Sequence, residues 1–162
     1  MNGASDMFSR AIEWEWFPFS AAREPAAILA VIPFSGGWIW VKHPQRGWEL
    51  PGGKRESNEP PEQALRREVF EEAGALITNP QLIMQYLVPV EKDSFHVKWV
   101  YLCELEDIQK RPASSEIVDV RCFRPTPSPD TVKDRPDMSF VVKDGVYTEL
   151  YRKLAKSFFE KN

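Results

Sequence analysis

The sequence predicts an α/β (α+β) fold, a central mixed β-sheet with helices packed on it. Three observations lead there. Short apolar or alternating runs at residues 26–34 (AAILAVIPF), 37–43 (GWIWVKH), 81–90 (QLIMQYLVPV) and 96–105 (HVKWVYLCEL) have the length and composition of strands. One helical segment interrupts them, with Leu65, Val69 and Ala73 at four-residue spacing. A second amphipathic run (Val146, Leu150, Leu154, Phe158) closes the chain. The order β-β-α-β-β-β-α fits helices laid on a mixed sheet, and a length of 162 residues suits one domain spanning 1–162.

Each element has its local reason. Residues 1–24 are aromatic and mixed (IEWEWFPF), an irregular arm with one short strand. Gly36-Gly37 reads as a hairpin turn between the first two core strands, and residues 48–50 as a short extended piece before Pro51-Gly52-Gly53. For the helix, Asn58 or Ser57 is a candidate cap, Pro60 and Pro61 fit the first turn, and Gly74 fits the position just past the end. The polar stretch EKDS separates the next two strands, and EIVDVRCF (116–123) reads as a further one. Residues 124–136 (RPTPSPDTVKDRP) are proline-rich without periodicity, a long loop; 146–160 read as the final helix.

Composition narrows the function classes. Hydrophobic content of 43% and charged content of 28% are those of a globular protein with a core. A net charge of −3 argues against nonspecific binding to duplex DNA, which needs a basic face. The start, MNGASDMFSR, lacks the basic-then-apolar order of a signal peptide, and the longest apolar stretch falls far short of the roughly 20 residues of a membrane span. Cys103 and Cys122 sit in strand-like surroundings without metal-ligand spacing, as reduced thiols or, alternatively, a disulfide or a reactive thiol. A cytoplasmic location is the expectation.

The helix poses the chemical question. Glu68, Glu71 and Glu72 fall at i, i+3 and i+4, on one face roughly opposite the apolar stripe. Like charges so spaced cost an isolated helix ~0.2–0.5 kcal/mol per pair. A solvated acidic face relieved by Arg66 and Arg67 is one explanation. A Mg²⁺ site is the other, since hard oxygen donors one turn apart suit that ion and leave room for substrate phosphates. Gly52-Gly53 beside them lets backbone approach closely.

Residues 53–75 carry a longer pattern: Gly53, five residues, Glu59, seven residues, Arg67-Glu68-Val69, one residue, Glu71-Glu72, one residue, Gly74. This resembles the signature box of the Nudix hydrolases, matched at all seven fixed residue types, with Ala75 where the family prefers a larger aliphatic residue. RGWELPGGK (46–54) is similar to the approach segment of MutT-like members, and MSFVVKDGVYTELYRKL (138–154) resembles the tail of a Bacillus subgroup.

The resemblance implies the family's α/β/α sandwich around a central mixed sheet. It implies Mg²⁺, with Mn²⁺ as an alternative, held by Glu68, Glu71, Glu72 and the Gly52 carbonyl, while Arg67 orients the glutamates and bridges to Glu59. It further implies hydrolysis of a nucleoside diphosphate linked to another group, by water attack at phosphorus. Members often add one glutamate from a loop before a late strand. Glu116, in PASSEIVDV, is the best placed here as base and further metal ligand, the alternative being a solvated loop carboxylate. Asp119 and Glu104 are weaker candidates. Trp48 and Phe34 are available to line a base pocket, although Trp48 could instead fill the core, and Lys54 is a candidate phosphate contact. His43 is expected near the pocket and His96 at a strand edge.

The expected substrate is a small nucleotide, a purine nucleoside triphosphate such as 8-oxo-dGTP, cleaved to monophosphate and pyrophosphate. RNA 5′-triphosphate ends are an alternative partner, and ADP-ribose or dinucleoside polyphosphates another. The ADP-ribose mark, a proline some fifteen residues past the box, is off register, since Pro89 lies fourteen after Ala75. A non-catalytic nucleotide sensor is the reading from another class, disfavoured because every box glutamate is present. Oligomeric state is not readable.

Overall fold

The structure is a computed structural model that describes residues 2–5 and 11–155. Its strands are β1 (Asn2–Ser5), β2 (Ala11–Trp16), β3 (Ala27–Val31), β4 (Pro33–Phe34), β5 (Gly37–His43), β6 (Gly47–Glu49), β7 (Gly52–Lys54), β8 (Ala75–Glu91), β9 (Ser94–Ile108) and β10 (Asp119–Phe123). Its helices are α1 (Pro61–Ala73), α2 (Pro129–Asp134) and α3 (Gly145–Leu150). Six strands form one sheet in the order β1-β2-β8-β9-β3-β7; β10-β5-β4 form a second, with β6 paired to β5. β3 and β9 run parallel while their neighbours pair antiparallel, so the sheet is mixed as expected.

Two apolar cores explain the layering. Leu65, Val69 and Ala73 bury their stripe of α1 against Ile28, Ile39, Tyr101 and Cys103. At ~1.5–3 kcal/mol for each large side chain buried, that stripe outweighs the repulsion among the glutamates on the opposite face. On the other side of the sheet α3 packs Val146, Tyr147 and Leu150 into a cluster with Trp38, Trp40, Trp48, Met84 and Val100. Helix, sheet and helix therefore stack in that order.

Several boundaries differ from the sequence expectation, each for a local reason. The N-terminal arm holds two strands, not one, because β2 pairs with β8 (Trp14 opposite Tyr86) and β1 pairs with β2. The first hairpin turns at Ser35 and Gly36, both at positive φ (50° and 89°), leaving Gly37 inside β5. Neither Ser57 nor Asn58 caps α1: Pro60 occupies the cap position with no side-chain hydrogen bond, and Asn58 is a left-handed turn residue at φ 62°. Gly74 does end the helix as expected, at φ 67°, its N–H donating to Phe70 O at 2.8 Å. β8 starts at once, at Ala75, because a bulge at Asn79 (φ 47°) and Pro80 lets the strand run on past residues that break periodicity. The proline-rich loop contains α2, whose Ser128 cap accepts from Thr131 N. The C-terminal helix is regular only to Leu150 and widens over Tyr151–Ala155; Phe158 lies outside the described residues. Cys103 and Cys122 are free thiols.

Candidate active site

The three-residue strand β7 lies close to two elements at once. Along it Gly53 faces α1: a Cβ built there would lie 2.4 Å from the Glu68 carboxyl carbon. Gly52 is as tight against β3, where a Cβ would come within 2.3 Å of Ile28 O. The two glycines thus allow a carboxylate on one face and neighbouring backbone on the other. The Gly52 N–H donates to Glu72 Oε1 at 2.9 Å, which fixes the last of the three clustered carboxylates.

Arg67 orders the rest. Its Nε and Nη2 donate as a fork to Glu59 (2.8 and 2.9 Å), Nη1 donates to Glu68 (2.9 Å) and Glu71 (3.3 Å), and Nη2 also reaches the Lys54 carbonyl (3.1 Å). A planar guanidinium can serve so many acceptors where an ammonium could not. Glu59 also accepts from Glu56 N, and with the Arg67 fork this holds its carboxyl down at about 2. Arg67, bonded to Glu59 and Glu68, is shifted up. Two of the clustered carboxylates go the other way. Burial raises Glu68, and Glu72 is pushed up to about 8 by burial, helped by the charges of Glu68 and Glu49.

Carboxylates that burial makes reluctant to ionise are eased by a cation placed among them. The donor set Glu68, Glu71, Glu72 and nearby backbone oxygen consists of hard ligands, fitting Mg²⁺. Among the described residues no three His, Cys, Asp or Glu side chains already converge as a ligand set: Arg67 draws Glu68 and Glu71 to itself, while Glu72 turns to Gly52.

Beyond β7 opens a cavity of about 690 Å³, walled by β3, β7, the 46–50 approach and the 140–141 segment. That is the size of a small-ligand site. Arg46 lines it, clamped by Glu49 through bonds of 3.1 and 2.7 Å, and its turn is held by His43, whose Nδ1 accepts from Gln45 N and Arg46 N. Arg46 is shifted up, first by its hydrogen bonds to Glu49, which outweigh burial, and further by the charges of Glu49, Glu72 and Glu116.

The candidate residues are not all in one place. Gly52, Glu59, Arg67, Glu68, Glu71 and Glu72 come together, and Lys54 is exposed at the cavity wall. Glu116 is exposed on the loop before β10, near enough for its charge to act on Arg46. Asp119 is tied to Val120 N and Arg121, and Glu104 to Asn79. Trp48, 4% exposed, packs edge-on to Phe123 in the α3-side core and does not line the cavity. Phe34, 47% exposed, lines a different cavity with Ile108 and Cys122. The aromatic at the 690 Å³ cavity is Phe140, half exposed.

Lys98, His96 and the Arg46–Glu49 pair also line it. The sequence signal for Lys98 was visible as one lysine within the apolar run HVKWVYL. No periodicity marks Phe140.

The NUDIX domain family matches residues 22–138. YtkD of Bacillus subtilis (strain 168), provisionally assigned as an 8-oxo-dGTP diphosphatase, is 33% identical over 140 residues, covering 86% of this chain and 85% of its own. An 8-oxo-dGTP diphosphatase of Proteus vulgaris is 58% identical over 36 residues, 22% of this chain and 32% of its own. The crystal structure of the Bacillus subtilis pyrophosphohydrolase BsRppH superposes with a TM-score of 0.87 at 27% identity, over 97% of this chain and 98% of that one.

Proposed function

The chain belongs to the NUDIX hydrolase family, which acts on nucleotides bearing a diphosphate linkage, and from that premise we propose a Mg²⁺-dependent pyrophosphohydrolase of purine nucleoside triphosphates. The observation that carries this reading is β7 itself. Gly52 and Gly53 meet Glu72 and Glu68, the Lys54 carbonyl accepts from Arg67, and all three residues border a nucleotide-sized cavity.

In this reading Glu68, Glu71 and Glu72 hold the metal with the Gly52 carbonyl. Mg²⁺ when bound supplies charge neutralisation for phosphate oxygens and Lewis acidity toward water. Arg67 keeps the glutamates from splaying, and Glu59 anchors Arg67. Lys54 meets phosphate at the cavity wall. Glu116 accepts the proton of the attacking water as its oxygen bonds to phosphorus, the bridging P–O bond between the α and β phosphates breaks, and nucleoside monophosphate and pyrophosphate leave. The names of the YtkD and Proteus relatives support an 8-oxo-dGTP-type substrate. Similarity over nearly the whole chain to a pyrophosphohydrolase favours a second reading, in which the triphosphate sits on an RNA 5′ end and only its first nucleotides are held.

A panel of GTP, dGTP, 8-oxo-dGTP, ATP, 5′-triphosphate RNA, ADP-ribose and diadenosine polyphosphates, scored for pyrophosphate against phosphate release, tests this. Triphosphates are expected to turn over fastest with pyrophosphate as product. A kcat/KM for ADP-ribose above that of every triphosphate overturns the substrate assignment.

A further inference from the structure

The cations around the cavity are spent unequally. Arg46 is clamped by Glu49, and Arg55 donates to the Pro25 and Glu59 carbonyls and pairs with Glu24. The Lys54 and Lys98 ammoniums make no hydrogen bond or ion pair with a described residue, but Lys54 is exposed whereas Lys98 lines the cavity half-buried. Taking an ammonium out of water without a partner is costly. Burial accordingly shifts Lys98 down, with Asp144 and Glu49 opposing only through space.

Its place in the sheet says what it faces. Lys98 on β9 is level with Ala27 on β3, and Ala27 is level with Lys54 on β7. Paired side chains share a face. Gly53, one residue from Lys54, faces Glu68 and α1, so the Lys98 row lies on the opposite face of the sheet. Lys98 stands two strand spacings from β7, roughly 10 Å. Phosphates held at β7 and α1 therefore leave Lys98 to the other end of the nucleotide. Alternation along β9 orders that face by depth: Lys98 lies between His96, half-buried, and Val100, in the core. Phe140 and Val141 form an apolar wall of the same cavity, and a half-exposed aromatic in a pocket is a stacking surface for a base.

An ammonium has three donors and no acceptor. Guanine presents two acceptors along one edge, N7 and O6, whereas adenine presents N7 beside an amino donor. We propose that Lys98 is the specificity-determining residue of this site, donating to the O6/N7 edge of a purine seated against Phe140 and so selecting 6-oxopurine over 6-aminopurine nucleotides. This rests on the nucleotide reading above. Pairing the buried ammonium with a carbonyl removes its desolvation cost only when the 6-oxo base is bound.

The test uses the whole chain and two measurements. In the first, kcat/KM for GTP should exceed that for ATP by about 10-fold or more in the wild type, the size expected for one hydrogen bond to a charged donor. Lys98→Met should lower the GTP value to near the ATP value and leave ATP within about 3-fold. Equal losses on both nucleotides, or a wild type indifferent to the base, overturn the proposal. In the second, GMP and AMP binding is followed by calorimetry without metal. A Lys98-dependent preference for GMP in a protein that hydrolyses no triphosphate would sink the proposed reaction and leave the base assignment standing. Loss of triphosphate turnover with no GMP preference sinks both. Should Lys98→Met fail to match the wild-type melting temperature, Lys98→Leu, which also lacks a donor, replaces it and is held to the same outcomes.

Discussion

Residues 52–74 and residues 124–155 border the same cavity but are held by different means. The first is held by polar contacts at fixed spacing: one guanidinium bonds three carboxylates and a carbonyl, one amide bonds a fourth carboxylate, and glycine is required where a carboxylate lies against the chain. The second is held by packing and by single bonds to distant strands. Tyr147 and Trp40 meet edge to face, Trp40 Nε1 donates to Thr126 Oγ1, and Ser139 N donates to Trp48 O. The lesson is a division of labour. In the proposed reading chemistry restricts residue types along the first segment, while the second needs only to present a wall such as Phe140, and many sequences can do that.

The sharpest way to break this comparison is Glu71→Gln, which removes one carboxylate charge and keeps the volume. Turnover in saturating Mg²⁺ should fall by ~10²–10³-fold or more, with unchanged circular dichroism and melting, as expected when charge stabilisation at a reacting phosphate is lost. Near-wild-type turnover would show the helix carboxylates to be a solvated face after all.

Next in size is Glu116→Gln, expected to lower kcat by ~10²-fold with KM nearly unchanged, the pattern of a lost proton acceptor. If Asp119→Asn does this and Glu116→Gln does not, the base lies on β10. The structure weighs against that outcome, because Asp119 already accepts from Val120 N and Arg121.

What the sequence disclosed follows the same division. The box could be read residue by residue because Arg67, Glu68, Glu71 and Glu72 fall at the fixed spacing of a known signature, and helical spacing then placed them together. The apolar stripe of α1 was equally legible, as was Gly74 at its end. Trp48 was not. As the residue preceding Glu49-Leu50-Pro51 it is near the site in sequence, but alternation along β6 turns its ring into the core against Phe123. Phe34 was misleading for a similar reason, since exposure at a hairpin does not say which cavity it borders. The cap of α1 escaped because prolines fix φ and Glu59 is drawn to Arg67, leaving Asn58 for the turn. Phe140 was invisible: it enters a site only through tertiary pairing of Trp48 with Met138, which no local pattern encodes.

Stability measurements sharpen the comparison further. Gly74→Ala places a Cβ 2.0 Å from Gln109 O at φ 67°, so it should cost about 2–4 kcal/mol through strain and backbone displacement. Gly36→Ala has a positive φ too, 89°, but open space around it, so only the conformational term applies and about 1–2 kcal/mol is expected. Denaturant midpoints of the two variants check the difference; equal losses would mean that the contact of Gly74 with Gln109 carries no weight.

The smallest expected effect tests the packing segment alone. Tyr147 is buried, and its hydroxyl donates to the Pro127 carbonyl at 2.5 Å, tying α3 to the loop ahead of α2. Tyr147→Phe keeps the ring contacts with Trp38 and Trp40 and removes the hydroxyl's bond to Pro127 together with its interaction with Thr126. Leaving a buried carbonyl without its donor should cost about 1 kcal/mol. In a chain of this length that lowers the melting temperature by roughly 2–4 °C. Because no α3 residue lines the cavity, which this segment meets at Phe140 and Val141, kcat/KM for a triphosphate should stay within about 2-fold of wild type. A larger fall in turnover with an unchanged melting temperature would mean that 124–155 shapes the reacting geometry as well as the wall, and the division of labour between the two segments would fail.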